Sequence, residues 1–282
     1  FAVRSLAKLG RSADPSLLSD PDLHVRAEAV ASFGAAKAAA DLSAAAFYDS
    51  SAHVRAAAAD AVAATGDPAL AARVAQMADA DGPMPRGRAL LALAKLRGDA
   101  EAARIERARR DPHWWIRSKA YEASAALRDA AAILNAGVAD PDARVAAQAL
   151  ETLAASTSPL AAAAIETVLR DPKAPIEVLG AAVDAAGERK SPASAAALRT
   201  AWGRAGLTAE IRDSLRKALK ASGVEVKMGP SLDEPKTFPP LASSPTLVLE
   251  TAKGPRGQPR TCDNGYCRNE RLKKLWVWCG SY

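Results

Sequence analysis

The 282-residue chain reads as an all-α protein: a solenoid of about seven helical hairpins followed by an extended C-terminal segment. Three observations carry that reading. A short pattern returns at a steady interval, small apolar residues fall at helical spacing after each copy, and the composition changes abruptly after Ala221. The pattern Asp20-Pro21-Asp22-Leu23-His24-Val25-Arg26 recurs as Asp49-Ser50-Ser51-Ala52-His53-Val54-Arg55 and as Asp111-Pro112-His113-Trp114-Trp115-Ile116-Arg117. Looser copies begin at Asp79, Asp140 and Asp171. With Val25, Val54, Ile116, Val145 and Ile176 taken as equivalent points, neighbouring copies lie about 30 residues apart, and a gap twice as long holds a degenerate copy near Pro85. That period belongs to stacked helical hairpins.

The first unit is incomplete, running from Val3-Arg4-Ser5-Leu6 to Leu9-Gly10, and the last centres on Ile211-Arg212. In each complete unit an Asp, often followed by Pro, marks a helix start. The carboxylate accepts from unpaired first-turn N–H groups, and Pro at the first helical position has no N–H to leave unpaired. Val54, Ala58 and Ala61 or Val62 then share one face, as do Val145, Ala149 and Leu153, giving a narrow stripe on which helices can approach closely. Gly34, Gly66 and Gly187 stand where such helices should stop in the left-handed conformation. Alanine-rich partner helices are expected over 35–48, 69–78, 130–138, 159–170 and 194–201. No single unit could bury its apolar face without its neighbours.

These residues resemble the HEAT-like repeats, in particular the short bacterial form in which Asp-Pro-x-x-x-Val-Arg-x-x-Ala opens the second helix; the resemblance covers residues 1–222. It implies a right-handed α-solenoid whose second helices line a concave face, and protein binding more often than catalysis. It also implies a ladder of Asp and Arg between successive units. Asp20 with Arg26, Asp49 with Arg55, and Asp111 with Arg117 keep the required six-residue offset, whereas Asp140 meets Ala146 and Asp171 meets Glu177. Less regular stacking is therefore expected in the last third.

Charge and residue chemistry narrow the function. The formal net charge is +6, from 38 basic and 32 acidic residues that are interspersed through most of the chain, so bulk charge does not argue for nucleic acid. Arg104, Arg107, Arg109 and Arg110 lie among Glu101 and Glu106 and read as a solvated helix face. The repeated arginines read as ladder members before phosphate binders; a nucleic-acid-binding helical-repeat protein, resembling the DNA glycosylases of this family, is the alternative. His24, His53 and Trp115 hold equivalent positions just before the Val or Ile and should form a column. Together with Trp114 and Arg144 they are the candidates for a concave binding face. Adjacent helix residues point about 100° apart, so one Trp of the pair should pack and one should show, either as a binding anchor or as filler of a widened gap. A metal between His24 and His53 is not expected, because neighbouring helices sit about 8–10 Å apart and no third ligand recurs. No catalytic constellation and no cofactor are expected. No apolar run approaches the ~18–20 residues of a membrane span, and the solenoid should be a monomer. No targeting signal is visible at the N-terminus, which leaves a bacterial cytoplasm or cell envelope open.

Residues 223–245, with Pro230, Pro235, Pro239, Pro240 and Pro245, have the composition of a linker. In residues 246–282, Thr246-Leu247-Val248-Leu249-Glu250-Thr251-Ala252-Lys253-Gly254 alternates like a strand. It resembles the first strand of cyclophilin-type peptidyl-prolyl isomerases, implying that the chain is a truncated piece of a repeat–cyclophilin fusion. No isomerase residue can be carried over, since after Gly254 the sequence departs from that family. The remainder is a basic segment with Cys262, Cys267 and Cys279, read as out-of-frame or truncated coding sequence without a fold of its own; three Cys without a fourth ligand do not make a zinc site.

Overall fold

The helices begin where side chains take over as acceptors for unpaired N–H groups. Asp22, Ser51, His113 and Asp142 cap four of them by accepting from the N–H two residues on. The repeated Asp lies one turn further upstream. Asp20, Asp49, Asp111 and Asp140 each accept from the N–H two residues later, at 2.8–2.9 Å. The motif is therefore a double Asx-type turn, with the Asp at its entrance and the cap at its exit. This corrects the expectation that the repeated Asp is itself the cap.

The computed structural model describes residues 2–224 together with 261–263, 266–268 and 276–278. Helix α1 (Ala2–Lys8) stands before seven units, each a first element and a second helix. These are a 3-10 turn (Pro15–Ser19) with α2 (Leu23–Ala35), α3 (Ala44–Phe47) with α4 (Ala52–Thr65), α5 (Ala71–Ala80) with α6 (Pro83–Arg97), and α7 (Ala102–Ala108) with α8 (Trp114–Ala123). They continue as α9 (Ala130–Gly137) with α10 (Ala143–Ala154), α11 (Pro159–Arg170) with α12 (Ile176–Arg189), and α13 (Ala195–Trp202) with α14 (Ala209–Ala221). Helices α1, α2, α4, α6, α8, α10, α12 and α14 pack each on the next in one layer, and α9, α11 and α13 do so in a second. The result is an α-solenoid. The single partner helix expected over 35–48 is instead a 3-10 turn (Ala39–Asp41) and the four-residue α3.

Small residues set the spacing between units. Val54, Ala58, Val62, Val145, Ala149 and Leu153 are fully buried, as the stripe predicts. Gly34 and Gly187 lie within α2 and α12 and do not end them, contrary to expectation; Gly66, at φ +74°, does end α4. Gly34 is required by contact: a Cβ there would stand 2.7 Å from Ala61 Cα in the next unit. Gly34→Ala should therefore force α2 and α4 apart and cost about 1–3 kcal/mol, read as a lower melting temperature.

The buried residues form two clusters, one from Ala13 to Leu127 and one from Tyr121 to Leu219, with Ile133 packed against both. Their junction lies between α8 and α10. Sequence equivalence also needs correction there. Val178, not Ile176, is the buried counterpart of Val145, because the segment Lys173-Ala174-Pro175 starts α12 late and leaves Ile176 exposed.

The C-terminal segment is a separate unit. Within it β1 (Thr261–Asp263), β2 (Tyr266–Arg268) and β3 (Trp276–Trp278) form an antiparallel sheet in that order, with Cys262 opposite Cys267. No strand was expected from residue 261 onward, although Asn264-Gly265 is a favoured hairpin pair. The linker and the expected strand over 246–254 lie outside the described residues.

Candidate functional site

With the register corrected, one position recurs just after each cap: His24, His53, Met84, Trp115, Arg144 and Glu177. Residues four and seven further on lie on the same helix face, so these positions define the exposed side of the α2–α12 layer. A groove of about 450 Å³ on this side is lined by Arg4, His24, His53, Met84, Arg88 and Trp115, among others. The groove reaches from α1 to α8 along that exposed side.

The structure brings His24, His53 and Trp115 into that groove, the two imidazoles meeting edge to face with centroids 6.0 Å apart. Among the described residues no group of three or more His, Cys, Asp or Glu is placed to hold a metal. Trp114 and Trp115 do not divide into one packed and one exposed ring. Both are half-buried, edge to face at 5.7 Å, with Trp114 against the second core and Trp115 against the first. They straddle the junction of the two cores, so each finds an apolar surface on its own side. Trp115 lies over Gly87, where a Cβ would stand 2.9 Å from its Nε1, and Lys119 Nζ sits 4.7 Å from its ring centroid. Arg144 and Trp114 are brought together outside the groove. The Arg144 guanidinium lies 3.7 Å from the Trp114 centroid and pairs with Asp142 at 2.7 Å. That hydrogen-bonded ion pair lowers the Asp142 carboxyl to about 2.

Charged residues missed from sequence complete the face. Arg4 pairs with Glu28, Arg88 lies 3.7 Å from Asp60, and Lys119 Nζ is 2.6 Å from Glu122. Burial raises the Asp60 carboxyl. Burial also raises Glu151; Lys119 opposes that shift, and Glu122, Asp184 and Glu188 add to it. These residues recur four and seven positions after the column, a spacing visible only once Asp81-Gly82-Pro83 is read as the start of the degenerate unit in place of Asp79.

The ladder runs along the loops that lead into these helices. Arg26 is bidentate to Asp49 at 2.7 and 2.9 Å and also donates to the Asp20 carbonyl. Arg55 does the same with Asp81 and the Asp49 carbonyl, and Arg117 with Asp140 and the Asp111 carbonyl. Arg86 supplies the rung to Asp111 at 2.6 Å. Arg26, Arg55 and Arg117 thus clasp the next unit's carboxylate and their own unit's backbone, whereas Arg86 makes the carboxylate contact alone. Beyond Asp140 the arginine position is Ala146 and then Leu179. There Arg189 reaches the Ser156 carbonyl and Arg204 the Ala174 carbonyl at 2.7 Å. The cluster expected to be a solvated face is internally paired: Arg104 with Glu101 and Asp79, and Arg109 and Arg110 with Glu106.

Hydrogen bonds from Arg26 and Arg55 hold the Asp49 and Asp81 carboxyls below the usual carboxylate range, against the opposing effect of burial. A carboxyl lowered in the folded state stabilises fully above its unfolded value of about 3.9 and loses that contribution as pH falls through its folded value. Thermal melts from pH 7 downward should therefore hold through pH 5 and fall below about pH 4. Asp49→Asn should make that fall shallower.

No protein-family model matches the chain, and no curated protein matches it. Solved structures resemble it at low similarity. Human deoxyhypusine hydroxylase in complex with glycerol is 18% identical over 79% of this chain and 89% of that one, with a TM-score of 0.38. The E. coli protein YibA is 18% identical over 78% and 81%, with a TM-score of 0.42. The complex of CpcE and CpcF of phycocyanin lyase from Nostoc sp. PCC7120 is 18% identical over 79% and 90%, with a TM-score of 0.45.

Proposed function

We propose that this chain is a non-catalytic interaction scaffold that docks a protein or peptide on the concave face of its solenoid. The observation that carries the reading is the groove shared by α1, α2, α4, α6 and α8, which places Met84 and Trp115 beside His24, His53 and Arg88. An exposed methionine and a half-buried tryptophan ringed by charge suit a peptide anchor. No helix among the described residues is long and apolar enough to cross a membrane. The nucleic-acid alternative needs free arginines, whereas Arg26, Arg55 and Arg117 are each committed to a carboxylate.

Selection of displayed peptides on the full chain tests this reading. Selected peptides should lose at least about tenfold in affinity, roughly 1.4 kcal/mol, with the double variant His53→Ala/Arg88→Ala, and nothing with Asp129→Asn on α9. Peptides indifferent to the groove variant would contradict it.

The finer reading, that the repeats belong to a cyclophilin-type isomerase fusion, is supported only by the resemblance of residues 246–254. A prolyl-isomerase assay of this chain should show no activity, because it offers none of that family's catalytic residues.

A further inference from the structure

The exposed face of this layer continues past the groove onto α8, α10 and α12, and its charge changes there. Seven residues after the column come Glu122, Glu151 and Asp184, one per helix, with Glu188 one turn beyond Asp184. Because α8, α10 and α12 pack in succession and these residues hold equivalent positions on them, all four lie on one face of the layer. Cations on this stretch are already engaged: Lys119 with Glu122 and the Trp115 ring, Arg144 with Asp142 and the Trp114 ring. Among the described residues Glu151, Asp184 and Glu188 have no ion pair, and Glu151 accepts only from Gln148 at 3.3 Å. Lys119 offsets only part of this charge, and a net acidic stretch on a chain of net charge +6, continuous with an apolar-lined groove, is complementary to a cation-bearing ligand.

We propose that this face binds an extended peptide that seats an apolar residue in the groove beside Met84 and Trp115 and lays a basic stretch across α8, α10 and α12. This rests on the docking reading above and adds the partner's chemistry and register. Packed helices lie about 8–10 Å apart, so the carboxylates repeat at about that distance across the layer. A polyproline II strand rises about 3.1 Å per residue with three residues per turn, so every third side chain returns to the same side after about 9 Å. Lys or Arg at every third position therefore meets Glu122, Glu151 and Asp184 in turn. Two adjacent cations would leave one facing away.

The test is fluorescence anisotropy on the full chain with two labelled synthetic peptides of one composition. Each carries an N-terminal Leu and Pro/Ala spacers, with three lysines either at every third position or in one block. The every-third peptide should bind at least about tenfold tighter, about 1.4 kcal/mol. Glu151→Gln/Asp184→Asn should abolish that preference, while Asp129→Asn leaves it. Thermal melts serve as the folding control, since neutralising Glu151 removes a carboxylate that burial already disfavours in its charged form. Equal affinity for both peptides, or an unchanged preference in the double variant, would overturn the proposal. Selected peptides that lack basic residues yet need His53 and Arg88 would also overturn it, and would leave the docking reading standing.

Discussion

Replacing Phe33 by alanine should destabilise the N-terminal units by about 3–5 kcal/mol, the usual cost of deleting a fully buried aromatic side chain. Phe33 lies on α2 with no exposed surface, in the cluster that runs from Ala13 to Leu127. Alanine and glycine supply much of the surrounding layer, and their short side chains cannot extend to fill the vacated space. The effect should also be local. In a solenoid each unit contacts only its neighbours, and the second cluster, from Tyr121 to Leu219, does not include α2. Hydrogen exchange should accelerate in α1, α2 and α4 while α10, α12 and α14 keep their protection. Uniform acceleration along the chain would show that the two clusters unfold as one.

The second large effect belongs to Asp140. Its carboxylate takes both Arg117 donors at 2.9 and 3.0 Å and accepts from the Asp142 N–H, with only 5% of its side chain exposed. It is the last rung of the ladder and crosses the junction between the two clusters. Asp140→Ala strands a largely buried guanidinium and an unpaired N–H together. We expect a loss of about 2–3 kcal/mol, between the values for exposed and fully buried pairs. Asp140→Asn keeps an acceptor for the Asp142 N–H and should cost about half as much. Because the rung joins the clusters, the alanine variant should also split one melting transition into two. A single transition with an unchanged midpoint would show that the ladder does not hold the junction.

The repeat was legible in sequence because its signals are local. The Asp-to-Arg offset, the caps and the small-residue stripe all lie within one unit, and they singled out Arg26, Arg55 and Arg117. What failed depended on register. Pro175 delays α12, so Ile176 was aligned with Val145 in place of Val178; Gly82-Pro83 replaces the usual entrance, so Asp81 and Arg86 were overlooked as ladder members. The acidic stretch was illegible for the same reason, since Glu122, Glu151 and Asp184 align only after both shifts are corrected. The ladder partner was half-legible. The resemblance implied a ladder between successive units; the Arg26 side chain reaches Asp49 of the next unit, and its link to Asp20 of its own unit is to that residue's carbonyl.

Trp114 and Trp115 show the limit of helical-wheel reasoning. Two rings 100° apart on an isolated helix face opposite environments only when one side is solvent. Here α8 lies at the junction of two cores, and both rings find packing. His24, His53 and Trp115 line one groove because they share a position fixed by the caps before them.

Hydrogen–deuterium exchange of the full chain with and without a selected peptide tests the central claim most directly. Binding should slow exchange in α4, α6, α8 and α10, the helices that carry His53, Arg88, Trp115 and Glu151. Protection confined to α5, α7, α9, α11 and α13 would contradict it and place the binding surface on the other layer.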